Sequence, residues 1–172
     1  MYLIFIIILT FLFLSLAWSG LSFAPWIPTR RKDLARIAKL ADLKPSETFY
    51  DLGCGTGRVP FYLSKNSQAK VFGLEISWPF FLICKIKQIF QGHPNLKFKF
   101  KNLYTEDLSQ ADVVYAFGTP KTINTKLIPK LKNELKPGSR FISYAFPVEN
   151  WQPQVIDKPN PGDVAIFVYI IP

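Results

Sequence analysis

Two carboxylates and three glycines carry the chemistry this sequence most openly offers. Asp51 and Glu75 each lie near the end of a short apolar run, "TFYDL" and "AKVFGLEIS", and Gly53, Gly55 and Gly57 follow the first run in "DLGCGTGRV". Glycines grouped behind a strand let the backbone take positive φ and let a ligand approach without a Cβ in the way. Glu75 stands 18 positions past Gly57, the usual offset for a carboxylate that accepts hydrogen bonds from ribose hydroxyls. A dinucleotide fingerprint is spaced G-x-G-x-x-G and seats a pyrophosphate on a helix N-terminus. Here the spacing is G-x-G-x-G, and Asp51 ahead of it repels a pyrophosphate and suits a cation. The turn therefore predicts an adenosine-bearing, positively charged ligand. S-adenosylmethionine, with its α-ammonium and sulfonium, has both properties, and NAD does not.

Other reactive side chains are sparse. Cys54 and Cys84 are the only cysteines, too few for a disulfide framework or a zinc site, and they read as small buried side chains in a reducing compartment. His93, the one histidine, falls in the polar turn "QGHPN" and reads as a solvated loop residue. No Ser-His-Asp set is visible, and no metal is expected.

The elements that must position the acids alternate in type. Helices are predicted at "TRRKDLARIAKLADL", where Leu34, Ile37, Ala38 and Ala41 share a face, and at "GRVPFYLSKNS". Further helices are predicted at "SWPFFLICKIKQIFQG", with Ser77 as N-cap and Gly92 as stop, and at "PKTINTKLIPKLKNELKPG", bending at Pro129. Strands are predicted at "TFYDL", "AKVFGLEIS", "LKFKFKN", "ADVVYAFG" and "SRFISYAF", and a closing hairpin joins "WQPQVID" to "DVAIFVYII" through "PNPG". Such alternation predicts an α/β, Rossmann-like, mostly parallel seven-stranded sheet with an antiparallel hairpin at its C-terminal end.

The N-terminus differs from the rest. Of 172 residues none before Arg30 is charged, so the net charge of +9 sits wholly on the remainder. Tyr2 to Ala24 is almost entirely apolar, long enough as a helix to span ~34 Å, and Arg30, Arg31 and Lys32 follow it. Thr10, Ser15 and Ser19 can bond to backbone carbonyls, and Trp18 and Trp26 suit a bilayer interface. The run lacks the basic n-region and the cleavage site of a signal peptide. It predicts a transmembrane anchor over residues 1–28, ahead of a single domain over 29–172 that the positive-inside rule places in the cytoplasm.

The segments "APWIPT", "DLGCGTGRV", "GLEIS", "NLYTEDLSQADVVYAFGTP" and "ISYAFPVENW" occur in an order that resembles one small group of class I, seven-β-strand S-adenosylmethionine-dependent methyltransferases. These are the membrane-anchored lysine methyltransferases of the ATP synthase c ring protein and the adenine nucleotide translocase, with their bacterial relatives. The similarity runs from about Ala24 to Trp151. It implies that Asp51, Gly53, Gly55 and Gly57 line the turn and the methionine end, that Glu75 binds ribose, and that Asn102 and Leu103 flank the adenine. Many relatives have Asp where this chain has Asn102. Thr29 closes over the cofactor on this reading; its other reading is a helix N-cap.

Methyl transfer to an amine needs alignment and a neutral acceptor more than acid–base groups. The acceptor channel is expected from the segments after strands four and five, which supply Tyr115, Phe117, Pro120, Phe146 and Trp151. Aromatic walls attract an alkylammonium, and an apolar pocket lowers its pKa. Phe117 and Phe146 are the preferred pair. Two acceptor classes stay open: lysine on a membrane-associated protein, or a small molecule, lipid or quinone reached through the anchor. The basic surface fits a solvated face or anionic lipid, and no motif points to nucleic acid.

Overall fold

The structure, a computed structural model, describes residues 2–91 and 93–172; for Ile8, Leu16 and residues 18–22 only the backbone is described. Gly92, expected to stop a helix, and the side chains of Trp18 and Ser19 thus lie outside the described residues. Helix α1 (Tyr2–Ser22) opens the chain. Among the described residues no helix is long and apolar enough to cross a membrane.

The rest alternates as the periodicity requires. A 3-10 turn (Arg31–Asp33) leads into α2 (Leu34–Ala41), then β1 (Thr48–Leu52), α3 (Arg58–Asn66), β2 (Lys70–Glu75), α4 (Trp78–Gln91), β3 (Leu96–Phe100) and β4 (Val113–Ala116). After β4 come α5 (Pro120–Thr122), a π-turn (Ile123–Leu127), α6 (Ile128–Glu134) and β5 (Arg140–Tyr144), and β6 (Val155–Asp157) and β7 (Ile166–Ile170) close the chain. The bend expected at Pro129 takes the form of this π-turn. Proline offers no N–H to the turn behind it and crowds the carbonyl four residues back, and the helix widens just ahead of it.

All seven strands join one sheet in the order β3-β2-β1-β4-β5-β7-β6. The first five run parallel, and β7 is antiparallel to both β5 and β6. Each parallel step needs a helical crossover, so both faces are covered and the strands read as buried apolar runs. On one face Ile37, Leu63 and Cys84 from α2, α3 and α4 pack on Phe49, Val71 and Phe98. On the other, Ile123, Leu127 and Leu131 pack on Leu52, Val114 and Phe141. The order reverses between β1 and β4, and at such a switch point the carboxyl ends of the strands leave a crevice.

Candidate functional site

The crevice is shaped by the turn after β1. Gly53, Gly55 and Gly57 have φ of 79°, 54° and 77°, values that side chains rarely tolerate. The N–H groups of Gly53 and Cys54 both donate to the Leu74 carbonyl, at 3.0 and 2.9 Å, and tie the turn to β2. Glu75 then braces it: Oε2 accepts from the Gly55 N–H and Oε1 from the Ser77 N–H, each at 2.7 Å. Ser77 directly precedes α4, yet its buried hydroxyl is an unpaired side-chain atom and the expected side-chain cap is not made.

A single cavity gathers most of the expected residues. Asp51, Gly53, Gly55 and Glu75 line it from β1 and β2, Asn102 and Leu103 from the loop after β3, Phe117 from the end of β4, and Thr29 from the N-terminal side. Gly57 does not line it. A Cβ at Gly57 would meet Phe98 at 2.9 Å and Cys84 Sγ at 3.1 Å, so its bare backbone serves packing behind the turn. Phe146 is also outside the lining; it is partly exposed, with its ring 6.5 Å from that of Phe117. Of the other rings considered for the acceptor, Tyr115 lines the cavity, whereas Pro120 and Trp151 do not, and Trp151 packs on Tyr169 at 5.1 Å.

The segment Phe23–Thr29 is the part that sequence reasoning placed least well. It crosses the mouth of the cavity as a strap. Thr122 Oγ1 donates to the Phe23 carbonyl at 2.7 Å, and the buried Phe23 ring lies where a Cβ on Gly118 would come within 2.4 Å of it. Trp26, expected at a bilayer interface, instead sits over the glycine turn. Its Nε1 is 2.7 Å from where a Cβ on Gly55 would stand, and its ring packs on Phe80 at 4.9 Å. Thr29 Oγ1 is 2.8 Å from Tyr115 Oη, and the Thr29 carbonyl accepts from Arg58 Nη1 at 3.0 Å. Thr29 therefore ties the strap to β4, and the 3-10 turn begins without a side-chain cap. The signal for this contact was a tryptophan between two prolines and a glycine with no Cβ, and nothing in their spacing pairs them.

The cavity lining carries two acids, Asp51 and Glu75, and two bases, Arg58 and Lys101. Asp51 is buried, and burial first, then the Glu75 carboxylate, push its carboxyl well above the ordinary range. Burial and then Asp51 likewise raise the Tyr115 phenol. Beyond it, Phe117 meets Tyr144 edge-on at 4.8 Å, and Tyr144 Oη donates to the buried Asp33 at 2.6 Å. Cys54 and Cys84 are buried free thiols, with Cys84 Sγ donating to the Gly55 carbonyl at 3.2 Å. His93 lies away from the cavity, 6.2 Å from the Phe61 ring.

These residues fit an adenosine cation. The cradle is backbone at the glycines, where side chains would fill it, and the buried Asp51 carboxyl is in its lining.

Comparison with known proteins gives the same answer from another direction. Residues 51–155 match the family described as the ANTKMT methyltransferase domain. A protein-lysine N-methyltransferase of Saccharolobus islandicus (strain REY15A) is 31% identical over 159 residues, covering 86% of this chain and 93% of that protein. A lysine N-methyltransferase of Rattus norvegicus that acts on the c-type subunit of ATP synthase is 26% identical over 130 residues, 75% of this chain but 59% of its own length. Among solved structures, an RNA methyltransferase from Salinibacter ruber in complex with S-adenosyl-L-homocysteine superposes with a TM-score of 0.79 at 28% identity, covering 85% of this chain and 94% of that one.

Proposed function

Because the chain belongs to the ANTKMT methyltransferase family of S-adenosylmethionine-dependent enzymes, we propose that it methylates lysine side chains of a membrane-associated protein. The observation that carries this reading is the one cavity in which buried Asp51 and Glu75 face the aromatic side chains of Tyr115 and Phe117. Bound S-adenosylmethionine supplies an electrophilic methyl on a sulfonium that is already a good leaving group. Glu75, at the end of β2, is placed to accept from ribose hydroxyls, and Asp51 offers the counter-charge for the cationic end. Asn102 and Leu103 would border the adenine; the Asn102 side chain is already committed in part, since its Oδ1 accepts from the Tyr104 N–H at 2.9 Å. Gly53 and Gly55 let the backbone approach the ligand, and Gly57 supports the turn from behind.

The aromatic side receives the acceptor. Phe117 favours an alkylammonium at the mouth by cation–π attraction, and the apolar surround, with Tyr115 deeper in the lining, then favours the neutral amine that attacks. The attacking lysine gives up its proton to water. Phe146, outside the lining, would guide the approaching side chain.

Residues 1–28 act in this reading as a single-span anchor, with the catalytic domain on the cytoplasmic side. Support comes from the uncharged stretch from Tyr2 to Ala24 and from Arg30, Arg31 and Lys32 directly after it. The acceptor is recognised in this reading by the strap, the post-strand loops and the membrane. Such a shallow mouth suits a lysine displayed on a protein surface better than an enclosed lipid.

The test is tritiated methyl transfer from S-adenosylmethionine into membrane extracts, split into protein, lipid and RNA fractions. Label in protein, released as methyllysine on hydrolysis, is the expected result. Label confined to lipid would establish the small-molecule alternative, and label confined to RNA would overturn the lysine reading.

A further inference from the structure

Helix α4 is apolar on its outward side as well as its inward one. A helix laid on a sheet ordinarily buries its apolar stripe and turns its charges to solvent. α4 buries Cys84, packs half-buried Phe80 and Phe81 inward, and half-buries Lys87 and Gln88, whose side chains donate to the Thr56 and Leu96 carbonyls. Its outward half carries Trp78, Leu82, Ile83, Ile86, Ile89 and Phe90, with Ile89 78% and Phe90 83% exposed. At ~100° per residue these six sweep the side opposite Cys84; Pro79 falls within their arc and Lys85 flanks it. The exposure persists although α1 packs against α4, with the Trp78 N–H donating to Ser15 Oγ at 3.0 Å. Phe100, half exposed on the edge strand β3, packs against Trp78 at 5.5 Å and extends the surface. An apolar surface of this extent needs a covering.

Charge says what covers it. No Asp or Glu occurs from Ile76 to Thr105, while exposed Lys85 flanks the stripe and exposed Lys101 lies at the cavity beside the start of α4; Lys97 alternates with Phe98 to the other face of the sheet. A second copy of the chain would bring Lys85 and Lys101 against themselves. Anionic lipid headgroups would neutralise them while the acyl boundary takes up the isoleucines and Phe90. The apolar surface is also continuous with that of α1, whose Leu9, Phe11, Phe13 and Leu14 are exposed.

We propose that α4 lies in the plane of an anionic bilayer surface as a second membrane contact beside α1. The proposal rests on the membrane reading of residues 1–28. α4 starts where β2 presents Glu75, and Phe80 in its first turn lines the cavity. Docked in this way, the mouth under Trp26 opens alongside the headgroups and meets lysines displayed at that level.

The full chain tests this in vesicles of phosphatidylcholine and phosphatidylglycerol, with and without spin-labelled lipid. An environment-sensitive dye is placed on Ile89→Cys, on Leu9→Cys in α1, or on Lys158→Cys beside the far edge strand. All three positions are exposed, and the native thiols are buried. The expected result is a blue-shifted, lipid-quenched probe at 89 and an unquenched one at 158. Adding Lys85→Gln should lower the docking equilibrium about fivefold on anionic vesicles. A probe at 89 that stays in water while the one at 9 is quenched overturns the α4 contact and leaves the anchor standing. Quenching at 89 without quenching at 9 supports α4 and removes the anchor, and water at both overturns both. A blue shift at 89 without lipid quenching means that protein covers the face, and also overturns the proposal.

Discussion

The two walls of the cavity are made of different material. The wall from β1 and β2 is backbone and carboxylate: positive-φ glycines, two N–H groups tied to Leu74, and Glu75 bracing Gly55 and Ser77. The wall from β4 is aromatic, with Tyr115 and Phe117 in the lining and Tyr144 and Phe146 behind them. Bare backbone and fixed charge can hold only one kind of ligand, and they impose a spacing that survives in the sequence. Rings can be exchanged or rotated, so that wall can differ between acceptors without disturbing the other. The proposed function assigns binding to the first wall and turnover to the second.

The largest expected effect strikes the first wall. Glu75→Ala removes the group assigned to ribose and frees two buried N–H groups. Binding of S-adenosylhomocysteine measured by calorimetry should weaken by ~100-fold, the scale of losing two or more bonds to a charged group. A dissociation constant that barely moves would dissolve the contrast.

Asp51→Asn separates binding from stability. Burial raises the Asp51 carboxyl, so the ligand-free fold gains from the protonated form at low pH and loses that gain as pH rises from the ordinary carboxylate range through the raised value. The wild-type melting temperature without ligand should therefore fall over that window, and the variant's should not. S-adenosylhomocysteine keeps the ammonium, so its affinity for the wild type should rise with pH over the same window. The variant should bind about tenfold more weakly at neutral pH, as expected for one lost charge-assisted contact.

The second wall is tested by Phe117→Ala, which should lower turnover by up to ~10-fold, the scale of a ring contact, and move S-adenosylhomocysteine affinity much less. Equal losses in both would show that the ring is shared with the cofactor. Phe146→Ala, outside the cavity, should cost about twofold in turnover or less in the same assay. A larger loss at Phe146 than at Phe117 would shift the acceptor path outward.

The sequence disclosed these walls unequally. Asp51, Gly53, Gly55 and Glu75 were legible because a strand, a turn and a second strand fix their separation, and the family resemblance read from the motif order is borne out by the comparisons. Most strands were visible for a related reason: a sheet buried on both faces leaves continuous apolar runs, whereas β3 showed as alternation and β6 through the turn that joins it to β7. The strap was legible only through the resemblance, which put Thr29 over the cofactor, and its contacts were not. Trp26 meets Gly55 and Thr29 meets Tyr115 across long stretches of chain, and a tryptophan after an apolar run has the same composition whether it faces lipid or a glycine turn. Gly57 carried the same motif as its neighbours but faces Phe98, a difference of side and not of spacing.

The strap has a mechanical consequence. Seven residues separate the end of α1 from Arg30, at most ~25 Å of extended chain, and bonds at Phe23 and Thr29 remove the slack. Whatever surface holds α1 thus holds the cavity at a set height above it. A catalytic domain on so short a leash works as a gauge. On the anchored reading proposed above, it searches in two dimensions and reaches lysines by their altitude over that surface before any local sequence is read.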